Sequence, residues 1–474
     1  MSDAASNSNA VQPSGRLTGA INPKAAVPIL LFTFIFSLVL DNGFKFMTKP
    51  IAESLDLSVS TASLQATLAG ILIGIGAVVY AALADSISIR RLMVFGIALV
   101  AIGSLLGYFF QDSWLIVLAA RLIQTSGLAA AETLYVIYVT KYLAPQDQKT
   151  YLGFSTASFQ AALLIGTLTS GIVATHISWP AMFLISLLLI GAVPFLVKTV
   201  PEYTLQKSNL DVFGLFLIAA IATSVMFVLH DFSWFWVAMA VLAVALFYWH
   251  IHSSDHALVA PSFFTNFRYV SVLLIVLVVY MVQLGYSAIL LPYMVDELYG
   301  IDLDGAAYIL APGYICAIIV GVLSGKIATV LSSRQAIIIA LGAIVVALII
   351  PAVSIGGHLG VLVFSAILFP SGFALMYAPL VATALSGIAP AKTGVAIGFY
   401  NLTINIAVPV GIAATAKLVD VRPTFLAALS TATSEAEAVA ATILWLLVAL
   451  AAVGLVIYLI SEKVLGGSET AAQR

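Results

Sequence analysis

The chain has 474 residues, of which 62% are hydrophobic and only 8% charged, with a formal net charge of -2. A mean hydropathy of +1.12 excludes a soluble domain, because apolar stretches of about 20 residues recur along the whole length. Their polarity is continuous rather than alternating, which excludes a membrane β-barrel, and no basic face is visible for nucleic acid.

Residues 1–24, rich in Ser, Asn and Ala, read as a disordered tail, and the run that follows is too long for a cleaved signal peptide. Apolar runs then fall at 25–47, 60–83, 92–110, 114–140, 153–175, 179–200, 212–229, 234–251, 269–295, 306–331, 335–353, 359–386, 394–416 and 438–461. Each must satisfy its backbone internally, so the fold class is an all-α polytopic membrane protein with fourteen transmembrane helices. The single cysteine, Cys316, lies within one of these runs and supports neither a disulfide framework nor a thiolate metal cluster.

An even number of spans with a cytoplasmic amino terminus puts both termini inside. Fourteen of the 19 Lys and Arg residues then fall on the cytoplasmic side, among them Arg90, Arg91, Lys141, Lys198, Arg268, Lys326 and Arg334. The opposite loops collect acids such as Glu53, Asp112, Asp296 and Asp304. An internal echo sets the expected architecture: Ala82-Leu83-Ala84-Asp85 with Arg90 recurs as Lys326-Ile327-Ala328-Thr329 with Arg334 at the same spacing. Two six-helix halves, 25–200 and 269–461, are expected around a linker, 201–268, that carries two inserted helices, with a second tail at 462–474.

Several motifs agree in order and spacing. The first span ends LDNGFKFMTKPI, the loop after the second reads ALADSISIRR, the fourth span contains RLIQTSGLAA and the fifth LIGTLTSG. SWPAMF follows the fifth span, DVFG opens the seventh, and Gly394, Gly398 and Asn401 lie in the thirteenth. Over nearly the whole chain this set resembles the fourteen-helix drug:proton antiporter branch of the major facilitator superfamily. The resemblance implies the major facilitator fold and a proton-transfer role for Arg121. It also implies a conformational latch of Asp85, Arg90 and Arg91. Departures are equally plain: Lys45 and Lys49 stand where the family is normally apolar, and Thr167 and Ser170 replace the proline and a glycine of the fifth-span pattern. Gly166 and Gly171 remain, either as part of that antiport motif or as helix-packing positions.

Four ionisable residues sit inside apolar runs of the first third: Asp41, Lys45, Arg121 and Glu132. A charge in hydrocarbon costs about 3 kcal/mol or more unless it pairs or faces water, so such residues mark a pathway. Asp41 lies about 24 Å up the first span and Arg121 about 10 Å down the fourth, so their depths overlap and a charge-assisted pair is expected. Protonating Asp41 would release the arginine, which is a proton switch in outline. Lys45, one helical turn from Asp41, either competes for it or, as the simpler reading has it, snorkels to the outer surface.

Glu132 shares the Arg121 face about 16 Å away, standing alone toward the inner end as a second protonatable site or a contact for a cationic substrate. Gln124, Tyr135, Gln283, Tyr377, Asn401 and Asn405 join Lys45 as substrate-binding candidates, although the second-half aromatics and amides also fit interhelical packing. His250, His252, Asp255 and His256 resemble a metal cluster but read as a solvated juxtamembrane face, so no metal site is expected. The expectation is a monomeric plasma-membrane transporter that exports a small amphipathic or lipophilic compound in exchange for protons, with no cofactor beyond the proton. Proton-coupled uptake, or export of one physiological metabolite, is the rival on the same fold. A membrane enzyme would need a reactive cluster that the sequence does not offer.

Overall fold

The computed structural model describes residues 23–84, 87–202, 211–254, 265–386, 388 and 393–472, and among these every regular element is helical. Among the described residues, fourteen helices are long and apolar enough to cross a bilayer. They are α1 (Pro23–Phe46), α2 (Val59–Ala81), α3 (Ile89–Phe109), α4 (Trp114–Tyr142), α5 (Ser158–His176), α6 (Ala181–Thr199) and α7 (Val212–His230). The others are α8 (Trp234–Ser253), α9 (Phe267–Tyr299), α10 (Leu303–Val322), α11 (Ser333–Val353), α12 (Leu359–Leu385), α13 (Ala396–Val421) and α14 (Glu435–Val464). The chain is a multi-pass membrane protein. An even number of crossings returns it to its starting side, so Pro23 and Val464 share one face, the terminal face.

Most boundaries agree with the apolar runs, and the exceptions have local causes. The run expected over 306–331 divides into α10 and a separate helix, Ser324–Val330, that buries no residue. Beyond α1 the chain turns into a short helix, Thr48–Ser54, that buries Thr48, Ile51 and Ala52. Inside α9, Gly285–Leu290 form a π-helical turn directly after Gln283 and Leu284. Such turns recur at functional sites because one added residue re-aims the side chains around it.

One buried cluster joins residues of α1 to α6, and a second joins residues of α9 to α14 with Phe46, Ala66 and Leu163 from the other bundle. The two bundles meet where α2 packs on α13 and α5 on α10. Helix α7 lies along the first of these seams: Ala222 and Met226 bury against Leu64 and Ile71 of α2 and Ala413 of α13. Helix α8 packs on α7 and buries only Ala243 and Ile251, leaving apolar side chains for lipid. Residues 1–22 of the expected amino-terminal tail, the echo residue Asp85 and most of the linker flanks lie outside the described residues, whereas the last helix continues through the expected second tail to Ala472.

Candidate substrate and coupling site

Helix α1 presents Asp41 and Lys45 one turn apart, and Lys45 Nζ donates to Asp41 Oδ2. Both are buried, at 3% and 9% exposure. Lys45 therefore does not snorkel: the chain turns into the helix Thr48–Ser54 instead of opening to the outer surface, and Thr48 Oγ1 donates back to the Lys45 carbonyl at 3.0 Å.

Arg121 projects from α4 toward the same carboxylate and is fully buried. Its Nη2 stands 3.8 Å from Asp41 Oδ1. Its Nε donates to Gln65 Oε1 of α2 at 3.1 Å, its Nη1 donates to Gln124 Oε1, and its Cζ sits 4.0 Å over the Phe44 ring. A planar guanidinium with five donors suits this enclosure, since it can bond in its plane while its face stacks. The partners are themselves fixed. Gln65 Nε2 donates to the Phe44 carbonyl at 2.8 Å, and Gln124 Nε2 donates to Ser104 Oγ and Ser186 Oγ, both at 2.9 Å. Five helices, α1, α2, α3, α4 and α6, thus hold one arginine beside one aspartate. Gln124 belongs to this support and does not line the central cavity. Gln65 was missed by sequence reasoning; its signal was an amide alone within the apolar core of the second run.

A cavity of about 60 Å³ opens between the bundles, with Asp41, Asn42, Lys45 and Glu132 on one side and Gln283 and Asn405 on the other. Glu132 therefore does not stand apart from the Asp41 group, as depth alone implied; both face one space. Its Oε1 is buried without a hydrogen-bond partner among the described residues. A smaller cavity of about 10 Å³ shares Gln283 and adds Gln160, Ser287, Tyr314, Phe369 and Phe373.

Tyr135, Tyr377 and Asn401 line neither cavity. The Tyr135 hydroxyl donates to the Tyr151 carbonyl at 2.7 Å, and its ring packs on Phe34. Tyr377 meets Tyr400 edge to face. Tyr280, Tyr286, Phe369 and Phe373 stack together in the second bundle, so packing explains most of its aromatics.

Comparison with known proteins fits this architecture, since the sequence model of the Major Facilitator Superfamily matches residues 30–412. The chain belongs to the major facilitator superfamily. It is similar to a Klebsiella pneumoniae (strain 342) protein with the provisional name multidrug resistance protein MdtD, at 30% identity over 197 residues. That match covers 39% of this chain and 41% of the relative, so the chain matches about two fifths of the relative's length. A more distant similarity, 19% identity over 399 residues, extends to riboflavin transporter RibZ of Clostridioides difficile (strain 630), covering 82% of this chain and 87% of that one. Among solved structures, the POT family transporter PepTSo superposes with a TM-score of 0.68 at 10% identity, covering 93% of this chain and 98% of that chain. Nucleoside transporter NupG gives 0.64 at 12% identity, covering 91% and 99%. At such identities the structural likeness is one of fold.

The remaining motif residues take places the superfamily pattern only partly foretold. Arg90 and Arg91 both pair with Glu202 beyond α6, and Arg90 Nη1 also donates to the Val197 carbonyl at 3.1 Å. Asp85 lies outside the described residues. Gly166 and Gly171 are close-packing positions: a Cβ on Gly166 would lie 2.7 Å from the Val39 carbonyl oxygen of α1, and one on Gly171 would lie 2.9 Å from Ala307 Cβ of α10.

Away from the terminal face the two bundles are also bonded to each other. Lys49 pairs with Asp296, His176 Nε2 lies 3.2 Å from Asp304 Oδ2, and Asp420 of α13 accepts from two backbone N–H groups of α2. None of these cross-bundle pairings was foreseen from sequence. His250 is no solvated group either, since its Nε2 lies 2.8 Å from Asp211 Oδ1 at the start of α7. Asp255 and His256 lie outside the described residues, among which no group of three His, Cys, Asp or Glu is placed to hold a metal.

Proposed function

We propose that this transporter exports a small amphipathic or lipophilic compound in exchange for protons, by alternating access of its two bundles around the central cavity. The observation that carries the reading is the sharing of Asp41 between Lys45 and Arg121 at a cavity wall that also presents Glu132. Protonation removes the charge that both cations seek, so the proton-loaded and proton-free forms favour different side-chain pairings. Coupling follows if solute and proton prefer different states. The polar contacts between bundles away from the terminal face fit a state closed on that side. The surplus of Lys and Arg on the terminal face supports its placement in the cytoplasm, with the protein a monomer in the plasma membrane.

The test uses everted vesicles carrying the wild type, Asp41→Asn or Glu132→Gln, with a panel of lipophilic dyes and tetracycline as probes. An imposed inward-acid gradient should drive accumulation by the wild type and fail to do so in both variants. Equal gradient-driven uptake in all three would remove the mechanism. A second reading, transport of one physiological metabolite, is favoured by the similarity to RibZ over 82% of this chain. Riboflavin belongs in the same panel for that reason.

A further inference from the structure

The central cavity carries more hydrogen-bonding capacity than the protein uses. Gln283 of α9 and Asn405 of α13 both face it. Neither side chain makes a hydrogen bond to a described residue. Opposite them, Glu132 presents a carboxyl whose Oε1 is also unpartnered. Asp41 and Lys45 share the wall but are bonded to each other through Asp41 Oδ2, and Asp41 Oδ1 is directed at Arg121. Around these polar groups the lining is apolar, including Leu38, Ile73, Leu163, Ile404 and Val408.

We infer that the solute carried in this cavity is uncharged and presents an N–H flanked by a carbonyl, as in an imide, lactam, ureide or carboxamide, on an otherwise apolar framework. The step rests on the transport reading only in taking this cavity as the solute site. In its deprotonated form Glu132 accepts and cannot donate, whereas each side-chain amide does both. Their joint complement is an N–H for Glu132 beside donor and acceptor edges for Gln283 and Asn405. Sites with unspent polar groups reject analogues that leave those groups unpaired far more strongly than they reject a change in apolar bulk. Charge points the same way: Asp41 and Glu132 are matched by Lys45 and Arg121, leaving no net negative field to favour a cation. Protonation of Glu132 turns one of its two oxygens into a donor and leaves only a neutral carbonyl oxygen to accept, which weakens the hold on the solute N–H and links release to proton uptake. At about 60 Å³ the cavity is smaller than an organic solute, so loading requires the bundles to part.

Equilibrium binding separates this inference from proton coupling. The full chain in lipid nanodiscs is titrated at pH 7, without a gradient, with three fluorescent probes. These are 1,8-naphthalimide, its N-methyl derivative, which lacks the N–H, and the cation N-methylquinolinium. Wild type should bind the imide about tenfold more tightly than its N-methyl derivative. That preference should fall toward unity in Asn405→Leu, Gln283→Leu and Glu132→Leu. Because the decisive ratio is read in the wild type, a variant that fails to fold leaves the test intact. Equal affinity for the two imides, no binding of either, or tighter binding of N-methylquinolinium would overturn the inference. Imide selectivity without gradient-driven movement in everted vesicles would instead overturn the export reading and leave this one standing.

Discussion

Asp41 Oδ1 and Arg121 Nη2 stand 3.8 Å apart, and neither atom has a hydrogen bond among the described residues. The other carboxylate oxygen is bonded to Lys45. A shift of about 1 Å would complete a charge-assisted bond between aspartate and arginine. Asp41 thus has two cations within reach and one direct bond. The arrangement is poised because Gln65, Gln124 and Phe44 hold the guanidinium from the sides.

The consequence for stability is asymmetric. Lys45→Met removes one claimant but leaves Arg121 able to close on Asp41, so the loss should stay near 1 kcal/mol. Arg121→Met strips the supports of their shared partner and leaves a buried amide pair unsatisfied, which should cost about 3–5 kcal/mol. Thermal unfolding in detergent ranks the two. A larger drop for Lys45→Met would mean that Arg121 contributes little to holding the carboxylate.

Asp420 accepts the backbone N–H of Val59 at 2.9 Å and of Ser60 at 2.8 Å. An acid of the second bundle therefore caps a helix of the first, satisfying donors that otherwise lack partners at the start of α2. Ser60 Oγ also lies 2.8 Å from His230 Nδ1, which brings the end of α7 to the same point. Asp420→Ala should weaken closure by about 1–3 kcal/mol, a rise of about 5- to 150-fold in the state open on that side relative to the closed one. Spin labels on Ser58 and Thr424 would report it as a longer distance population. An unchanged distribution would show that the cap does not hold the seam.

Two glycines of α5 separate folding from switching. A Cβ on Gly166 meets the Val39 carbonyl oxygen and the Gly43 amide of α1, within one bundle. Gly171 instead faces Ala307 and Asp304 of α10, across the seam. Gly166→Ala should lower the unfolding temperature, at a cost of about 1–3 kcal/mol, because neighbouring backbone cannot yield as a side chain can. Gly171→Ala should leave that temperature nearly unchanged and lengthen the distance between the same two spin labels. Equal thermal losses in both variants would argue that the seam is as rigid as a bundle interior.

The fold was legible because a membrane span announces itself by length and hydropathy, and helical rise then converts sequence number into depth. That arithmetic brought Asp41 and Arg121 together. It separated Glu132 from them, because depth along one helix says nothing about the width of a cavity between two bundles. Lys45 was ambiguous for a different reason: its environment depends on the helix Thr48–Ser54, which is too short to register as an apolar run. The partners Gln65, Glu202, Asp296 and Asp420 are distant in sequence from the residues they bind, and one sequence carries no record of such pairings. A contact within one turn, such as that of Asp211 at the start of α7, is the kind that does leave a local signal.

That aspartate joins the inserted helices to each other. Asp211 Oδ1 accepts from the Gly214 N–H at 2.8 Å, capping α7, and lies 2.8 Å from His250 Nε2 at the end of α8. The imidazole also meets Phe213 edge to face. Asp211→Ala loses the cap and the tie together and should destabilise the pair by about 1–3 kcal/mol, whereas His250→Leu keeps the cap and should cost about 1 kcal/mol. Hydrogen exchange localises the effect: amides across Val212–His230 should lose protection in Asp211→Ala, while those of α1 and α4 keep theirs. The charge cluster lies on other helices, so gradient-driven transport should persist in His250→Leu. Loss of transport with full amide protection would place His250 in the coupling path rather than in the architecture of the inserted pair.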